Sequence, residues 1–414
     1  MNDIDIASEL IARNTWWKGS LQLNFRPRAI YKTLRKFLPE KQIMALVGLR
    51  RTGKTTMMLR IVQEELEALG KENILYFSFD EFREIKLRTI LQEYSKLMGK
   101  KLGEGRYLCL FDEIQKLDSW ETQLKALYDT YPNIKFIISG SESLFIRKKT
   151  RESLAGRMYE FRVEPLRFKE YLDFMGIGYA NIELAKGDLL SEVPSFLLSS
   201  GFPEILGKDR ETSTKYIREN VVEKVIYRDI PQIVRVNDPE ILEQLFKVIL
   251  NDPGEIIELN GLARDFSISR QTASLYLHYL ESAFLVRKVY NFSKNARKTQ
   301  KRSKKYYPTI TNQGASAAGE LFGKTFENFI VNELSADFFW RDAYKNEVDI
   351  IKLSPFIAIE VKSGAVHDKD LRPLNAFSRK FSGANAFVIS YDTEKRIGGV
   401  PVIPFYKYLL DAER

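Results

Sequence analysis

Residues 48–55 read Gly48-Leu49-Arg50-Arg51-Thr52-Gly53-Lys54-Thr55, the Gly-x-x-x-x-Gly-Lys-Thr spacing of a phosphate-cradling loop. The flanks suit that reading. Ile43-Met44-Ala45-Leu46-Val47 has the make-up of a short buried strand, and a helix begins at Thr56-Met57-Met58. Glycines at both ends of the loop let its N–H groups and the helix N-terminus point at phosphate oxygens. Lys54 is placed to reach the β- and γ-phosphates, and the Thr55 hydroxyl to ligate Mg²⁺. The nucleotide-contacting set expected from this stretch is Gly48, Leu49, Arg50, Arg51, Thr52, Gly53, Lys54, Thr55 and Thr56. A chance match in a Gly/Lys-containing loop is the competing reading, and the strand and helix on either side argue against it.

The 414 residues suffice for two or three domains with their own cores, and 44% hydrophobic with 29% charged is the balance of an ordinary globular protein. Eighteen consecutive apolar residues occur nowhere, so a membrane span is not expected. The start, Met-Asn-Asp-Ile-Asp-Ile, lacks the basic and apolar run of a signal peptide. A cytoplasmic location is the expectation. Cys109 is the only cysteine and His278 and His367 the only histidines, which leaves out an internal disulfide and a multi-cysteine zinc site. The net charge is +9, unevenly spread: Lys294 to Lys305 carries seven basic residues and no acid. Such a run is a solvated loop or a contact for a phosphate backbone, with Arg297, Lys298, Lys301 and Arg302 as candidates.

A second nucleotide-site signature follows about sixty residues downstream of the loop. Tyr107-Leu108-Cys109-Leu110-Phe111 reads as a buried strand that ends in Asp112-Glu113. Asp112 is placed to hold Mg²⁺ through water and Glu113 to polarise the attacking water. A further strand, 133–139, ends in Ser139-Gly140-Ser141, where a small polar residue can sense the γ-phosphate; a simple turn is the alternative. Strands alternating with helices argue a parallel sheet with the nucleotide at the strands' carboxyl ends.

Val47 to Thr56, Phe111-Asp112-Glu113-Ile114-Gln115 and Ile138-Ser139-Gly140-Ser141 together resemble a family of prokaryotic AAA+-type ATPases. The likeness continues through Leu154-Ala155-Gly156-Arg157, Glu164-Pro165-Leu166-Arg167-Phe168, Gly201-Phe202-Pro203-Glu204 and Tyr227-Arg228-Asp229-Ile230, and spans nearly the whole chain. It implies Glu113 as the hydrolytic carboxylate and Ser139 or Ser141 as the sensor. Arg157 becomes the arginine-finger candidate, with a plain salt bridge as its alternative. Arg228 and Asp229 are implied to lie in a lid near the nucleotide, shaped by the Gly-Phe-Pro-Glu turn.

Residues 260–266 and 270–280 read as two short helices around the turn Ser267-Ile268-Ser269, with Ser269 a natural N-cap. The apolar run 284–290 after them has the character of a strand. A winged helix is the expectation, presenting Arg270, Gln271 and Ser274 to DNA, although many winged helices serve protein contacts only.

The last hundred or so residues carry a second acid set. Asn346 to Ile351 and Phe356 to Lys362 read as strands, and Asp349 stands before Glu360-x-Lys362 in a D-x10-E-x-K layout. Glu360 and Lys362, two apart, share a strand face. This is the layout of restriction-like nucleases. Asp349 and Glu360 are the expected Mg²⁺ ligands. Glu327, on a helix beginning near Gly323, would complete or orient the shell, and Lys362 would activate water or stabilise charge. The same ATPase family often ends in such a domain. These domains also occur as docking modules without cleavage.

The expected fold is therefore α/β. A P-loop parallel-sheet ATPase core (1–165) precedes a helical lid (166–240), a winged helix-turn-helix (241–292), a basic linker (293–312) and a restriction-endonuclease-like α/β domain (313–414). ATP and Mg²⁺ are the expected cofactors and DNA the expected partner; a homo-oligomer would be needed if Arg157 acts in trans. The leading function is an ATP-hydrolysing protein that binds and processes DNA. The alternative is an ATP-dependent switch whose last domain only docks.

Overall fold

Five runs of mostly apolar residues build the first sheet. In the computed structural model, which describes residues 5–82, 84–141, 154–311 and 320–411, these are Ile43–Val47 (β1), Ile74–Ser78 (β2), Tyr107–Asp112 (β3), Ile134–Gly140 (β4) and Met158–Arg162 (β5). They pair in parallel in the order β2-β3-β4-β1-β5. Every residue of β1, β2 and β3 is buried, as parallel strands covered on both faces require. Helix Lys54–Leu69 packs Met57, Met58, Ile61 and Val62 against Met44, Leu46 and Leu110. Phe111 points the other way from Leu110 and stacks on Phe136. Because β4 lies between β1 and β3, its carboxyl end falls between the phosphate loop and the acid pair.

The chain forms two compact units. One holds the residues up to Glu164 together with Arg228–Arg235; the other holds Pro165–Tyr227 and the residues from Val236 onward. This departs from the expected order of domains. The helices Phe168–Met175 and Ile182–Ser199, expected in a lid, share one core with the C-terminal region. The Phe168 ring lies 6.0 Å from Phe329 and 5.6 Å from Phe405, and Phe196 lies 5.5 Å from Phe329. An amphipathic face states that it must be buried but not against what.

The second unit is built on an eight-stranded sheet. Its strands are Val286–Asn291 (β6), Lys304–Pro308 (β7), Phe338–Arg341 (β8), Glu347–Leu353 (β9), Phe356–Lys362 (β10), Asn385–Ser390 (β11), Lys395–Ile397 (β12) and Val400–Pro404 (β13). The order is β12-β13-β11-β10-β9-β8-β6-β7. Ile359 and Val361 of β10 enter a core with Phe326 and Phe329 of helix Glu320–Glu333. Ala358 enters another with Leu374 and Phe377 of helix Arg372–Lys380.

The structure corrects two further boundaries. Residues 293–312, expected as a linker, contain helix Ala296–Lys301 and the strand β7. The basic run concealed that strand, whose Lys305, Tyr306 and Tyr307 are buried. β6, expected as the wing, joins this sheet, pairing antiparallel with β7 and in parallel with β8. The helices Leu259–Asp265 and Arg270–Ser282 form close to where they were expected, and the Ser269 side chain caps the second.

No helix among the described residues is long and apolar enough to cross a membrane.

Candidate functional site

The phosphate loop leaves β1 at Val47 and enters helix Lys54–Leu69 directly. Gly48 has φ +152°, and a Cβ there would stand 2.2 Å from the Val163 carbonyl oxygen. Gly53 has φ +92° with open space around it. The loop thus needs glycine at 48 for a close backbone approach and at 53 for its turn. Leu49 and Thr52 are buried, and the Thr52 hydroxyl donates to the Leu49 carbonyl at 2.9 Å. Arg51 and Thr55 are exposed and Thr56 is half-buried. Lys54 is buried and donates to the carbonyls of Gly48 (3.0 Å) and Leu49 (2.8 Å). Burial lowers its pKa, while Glu113 and Asp112 work to hold the charge.

The acid pair meets this loop across β4. The Thr55 hydroxyl donates to Asp112 Oδ2 at 2.7 Å, and the Tyr76 hydroxyl donates to the same oxygen at 2.8 Å. Asp112 Oδ1 accepts from the Ser139 hydroxyl. Ser139 Oγ in turn accepts the Glu113 backbone N–H at 3.1 Å. Glu113 sits at φ +53°, an uncommon conformation for a non-glycine residue, and aims its carboxylate under this constraint. Gln115 Nε2 donates to Glu113 Oε2 at 2.7 Å and to Ser141 Oγ at 3.1 Å. Burial raises the Glu113 carboxyl above its ordinary range, with Lys54 opposing the shift. The carboxylate, hydroxyl and cradle fit a magnesium nucleotide: Thr55 and Asp112 would hold the ion and residues 48–56 the phosphates.

Two arginines are held by carboxylates, and the salt bridge that was the alternative for Arg157 is the one found. Arg157 precedes β5, its carbonyl accepts the Ile43 N–H, and its side chain pairs with Asp129 at 3.0 Å. Ile43 starts β1 and the phosphate loop follows Val47, so Arg157 stands at the opposite end of the sheet, about 13 Å of strand away. Within its own chain it does not reach the phosphates. Arg50, inside the loop, instead donates through Nη1 to both carboxylate oxygens of Asp229, at 2.6 and 2.9 Å.

The C-terminal acids also converge. The β9–β10 ladder runs to Ile350 opposite Ile359. Next along, Asp349 Oδ2 accepts the Val361 N–H at 2.8 Å, so a carboxylate takes the place of a backbone partner. Glu360 Oε1 pairs with Lys362 Nζ at 2.9 Å, while Glu360 Oε2 is buried with no hydrogen-bond partner among the described residues. Burial, then Glu360 and Glu327, raise the Asp349 carboxyl well above its usual range. Burial lifts Glu360 to about 7 against the pull of Lys362.

Lys305, Tyr307 and Glu347 were not read from the sequence as part of this site. Lys305 Nζ lies 3.2 Å from Glu327 Oε1 and 2.6 Å from Glu347 Oε1, and the Tyr307 hydroxyl donates to Glu327 Oε1 at 2.6 Å. Glu327 is thus engaged by a lysine and a tyrosine. Among the described residues no group of three or more His, Cys, Asp or Glu side chains is arranged to hold a metal ion. The orphaned Glu360 oxygen and the raised Asp349 carboxyl fit a cation held by those two residues alone. The one sequence signal for Lys305 was its place at the edge of the basic run, directly before Tyr306-Tyr307.

The residues expected to meet DNA are on the surface of the second unit. Arg270, Gln271 and Ser274 are exposed on the first turns of their helix, as are Arg297, Lys298 and Lys301 on the short basic helix. Arg302 is half-buried and bonds the Asn291 side chain (3.3 Å) and the Phe292 carbonyl (3.0 Å).

Residues 40–172 match the model of an AAA domain. An uncharacterized protein of Methanocaldococcus jannaschii is 30% identical over 309 residues, covering 72% of this chain and 67% of that protein. The chain belongs to one family with that protein, and its AAA domain places it among AAA-type ATPases. A second uncharacterized protein of that organism is similar at 28% over 417 residues (90% of this chain and 85% of that protein), and one of Haemophilus influenzae at 25% over 303 residues (70% and 74%). Residues 191–309 and 322–408 match two domains of unknown function, DUF8612 and DUF4143. Among solved structures, a Walker-type ATPase of Pyrococcus abyssi is similar with a TM-score of 0.41 and 17% identity, over 69% of this chain and 93% of that one.

Proposed function

We propose that the protein binds and hydrolyses ATP with Mg²⁺, and that its second unit binds DNA and cleaves it at the Asp349/Glu360/Lys362 cluster. The network Thr55–Asp112–Ser139–Glu113 carries the hydrolytic part of the reading. When bound, Mg²⁺ supplies positive charge against the β- and γ-phosphates. Lys54 gives up its two carbonyl contacts for phosphate oxygens. Glu113, aimed by Ser139 and Gln115, accepts a proton from the water that attacks the γ-phosphorus, and ADP leaves. The raised basicity that burial gives Glu113 suits that role.

The DNA part is supported by the exposed Arg270, Gln271 and Ser274 at the start of a capped helix, the second of two helices joined by a short turn, and by the basic helix Ala296–Lys301. The cleaving part is supported by the convergence of two carboxylates and Lys362 at the end of the β9–β10 ladder, as in restriction-endonuclease-like domains. Lys362 would stabilise negative charge on a phosphodiester, and Asp349 and Glu360 would hold the cation.

A second reading, in which ATP switches a unit that only docks DNA or a protein, is favoured by Lys305 occupying Glu327. Incubating the protein with Mg²⁺ or Mn²⁺ and several DNA forms, with and without ATP, separates the two. Cleavage that disappears in Asp349→Ala and Lys362→Ala supports the first. Intact ATP hydrolysis with no cleavage under any condition supports the second.

A further inference from the structure

Arg50 is an arginine of the phosphate loop whose side chain is held by a carboxylate from far along the chain, and the hydrolytic scheme gives it no step of its own. Its side chain is largely buried, as is that of Asp229, its partner. Asp229 arrives from far along the chain: the π-helical stretch Val225–Asp229 delivers it, and Arg228–Arg235 packs with the first unit although the residues on either side belong to the second. A carboxylate brought that distance to one loop arginine fixes where its guanidinium lies. The contact uses Nη1 alone, leaving the donors on Nη2 and Nε outside it. Arg50 and Lys54 stand on the same loop, and the charge of Arg50 acts on Lys54 as that of Glu113 acts on Arg50. Phosphoryl transfer needs a cation on the γ-phosphoryl oxygens as charge develops there, and a planar, permanently charged guanidinium suits the role. Arg157, at the far end of the sheet and paired with Asp129, does not supply it within the chain.

Resting on the proposed ATP hydrolysis, we infer that Arg50 contacts the γ-phosphoryl group during hydrolysis within its own chain, and that Asp229 is the residue that positions it. Arg50 and Lys54 then behave alike. Lys54 waits on two carbonyls and Arg50 on a carboxylate, and the polyphosphate draws both over. Asp229 keeps hold of one nitrogen while the rest of the fork turns to phosphate.

The test compares steady-state ATP hydrolysis with equilibrium binding of a fluorescent ATP analogue, using the full chain. Arg50→Ala is expected to lower kcat about 100- to 1,000-fold, in line with loss of one preorganised charge contact, with analogue Kd changed less than about tenfold. Arg50→Lys does not restore kcat, because a point charge lacks the fork. Asp229→Asn lowers kcat about tenfold at unchanged Kd, a split that a loss of folding would not produce; Asp229→Glu, which keeps the charge, recovers part of the rate. Adding excess Lys54→Ala chains, whose Arg50 is intact, to Arg50→Ala chains restores nothing. The inference is overturned if Arg50→Ala hydrolyses within about threefold of the unaltered chain, if its rate loss is matched by lost nucleotide binding, or if the added chains rescue it. Absence of hydrolysis by the unaltered chain sinks both readings. Hydrolysis that needs Lys54 but not Arg50 sinks this one alone.

Discussion

Lys305 Nζ lies 3.2 Å from Glu327 Oε1, inside a cluster of carboxylates where a nuclease-like reading would put a cation. The lysine is buried. Burial works against its charge, but Tyr307, Glu327, Asp349 and Glu347 outweigh that and hold its pKa well above the ordinary value. The acid cluster therefore carries its own cation.

Lys305→Met is expected to leave these carboxylates uncompensated and to lower stability by about 3–5 kcal/mol, the usual result of removing one partner of a buried pair. Divalent cations should recover part of that loss. Thermal melting with and without Mn²⁺ measures both, and a variant as stable as the parent would remove Lys305 from the cluster's charge balance.

The Glu360 carboxyl gives a pH dependence. Its folded pKa of about 7 lies above the ordinary 4.5, with burial as the main cause. The folded state then binds more protons than the unfolded chain between those values, and stability falls as pH rises through that window. Glu360→Gln should flatten the fall, with an effect on the order of 2 kcal/mol at about pH 8. Chemical denaturation across that range is the measurement, and a stability that rises with pH in both proteins would contradict it.

Glu113→Gln keeps the shape of the hydrolytic residue but not its basicity. Hydrolysis should drop by about 100- to 10,000-fold while nucleotide still binds. Lys54→Ala should weaken binding as well. Comparing analogue affinity with turnover in the two variants tells base from binder; equal affinity losses would deny Glu113 its role.

At Gly48 a Cβ would lie 2.2 Å from the Val163 carbonyl oxygen. Gly48→Ala is expected to displace β1 from the chain after β5 and to cost roughly 2 kcal/mol or more, together with nucleotide affinity. A variant that melts and binds like the parent would show that the loop accommodates a side chain.

Replacing Arg297, Lys298 and Lys301 with alanine should weaken DNA binding similarly for all sequences and reduce the salt slope of log K by about two to three. Titrations at several salt concentrations read this. An unchanged slope would return the basic helix to solvent.

Much of the nucleotide site was legible from the sequence because its chemistry is local. A loop of fixed spacing between a strand and a helix, and an acid pair at a strand's end, announce their geometry through neighbouring residues. The Asp349/Glu360/Lys362 set was legible for the same reason, since two strands joined by a short turn place their own side chains. Tertiary structure alone decided the rest. It put β4 between β1 and β3 so that Ser139 bridges Asp112 and Glu113, carried Arg157 away from the phosphates and brought Asp229 to Arg50. It also turned a basic run into a strand that buries Lys305, and packed the supposed lid helices into the C-terminal core. Hydrophobic pattern and motif spacing report which residues must be buried or must bind. The partner across which a charge is neutralised or an aromatic face is covered is a long-range choice, settled by packing over the whole fold.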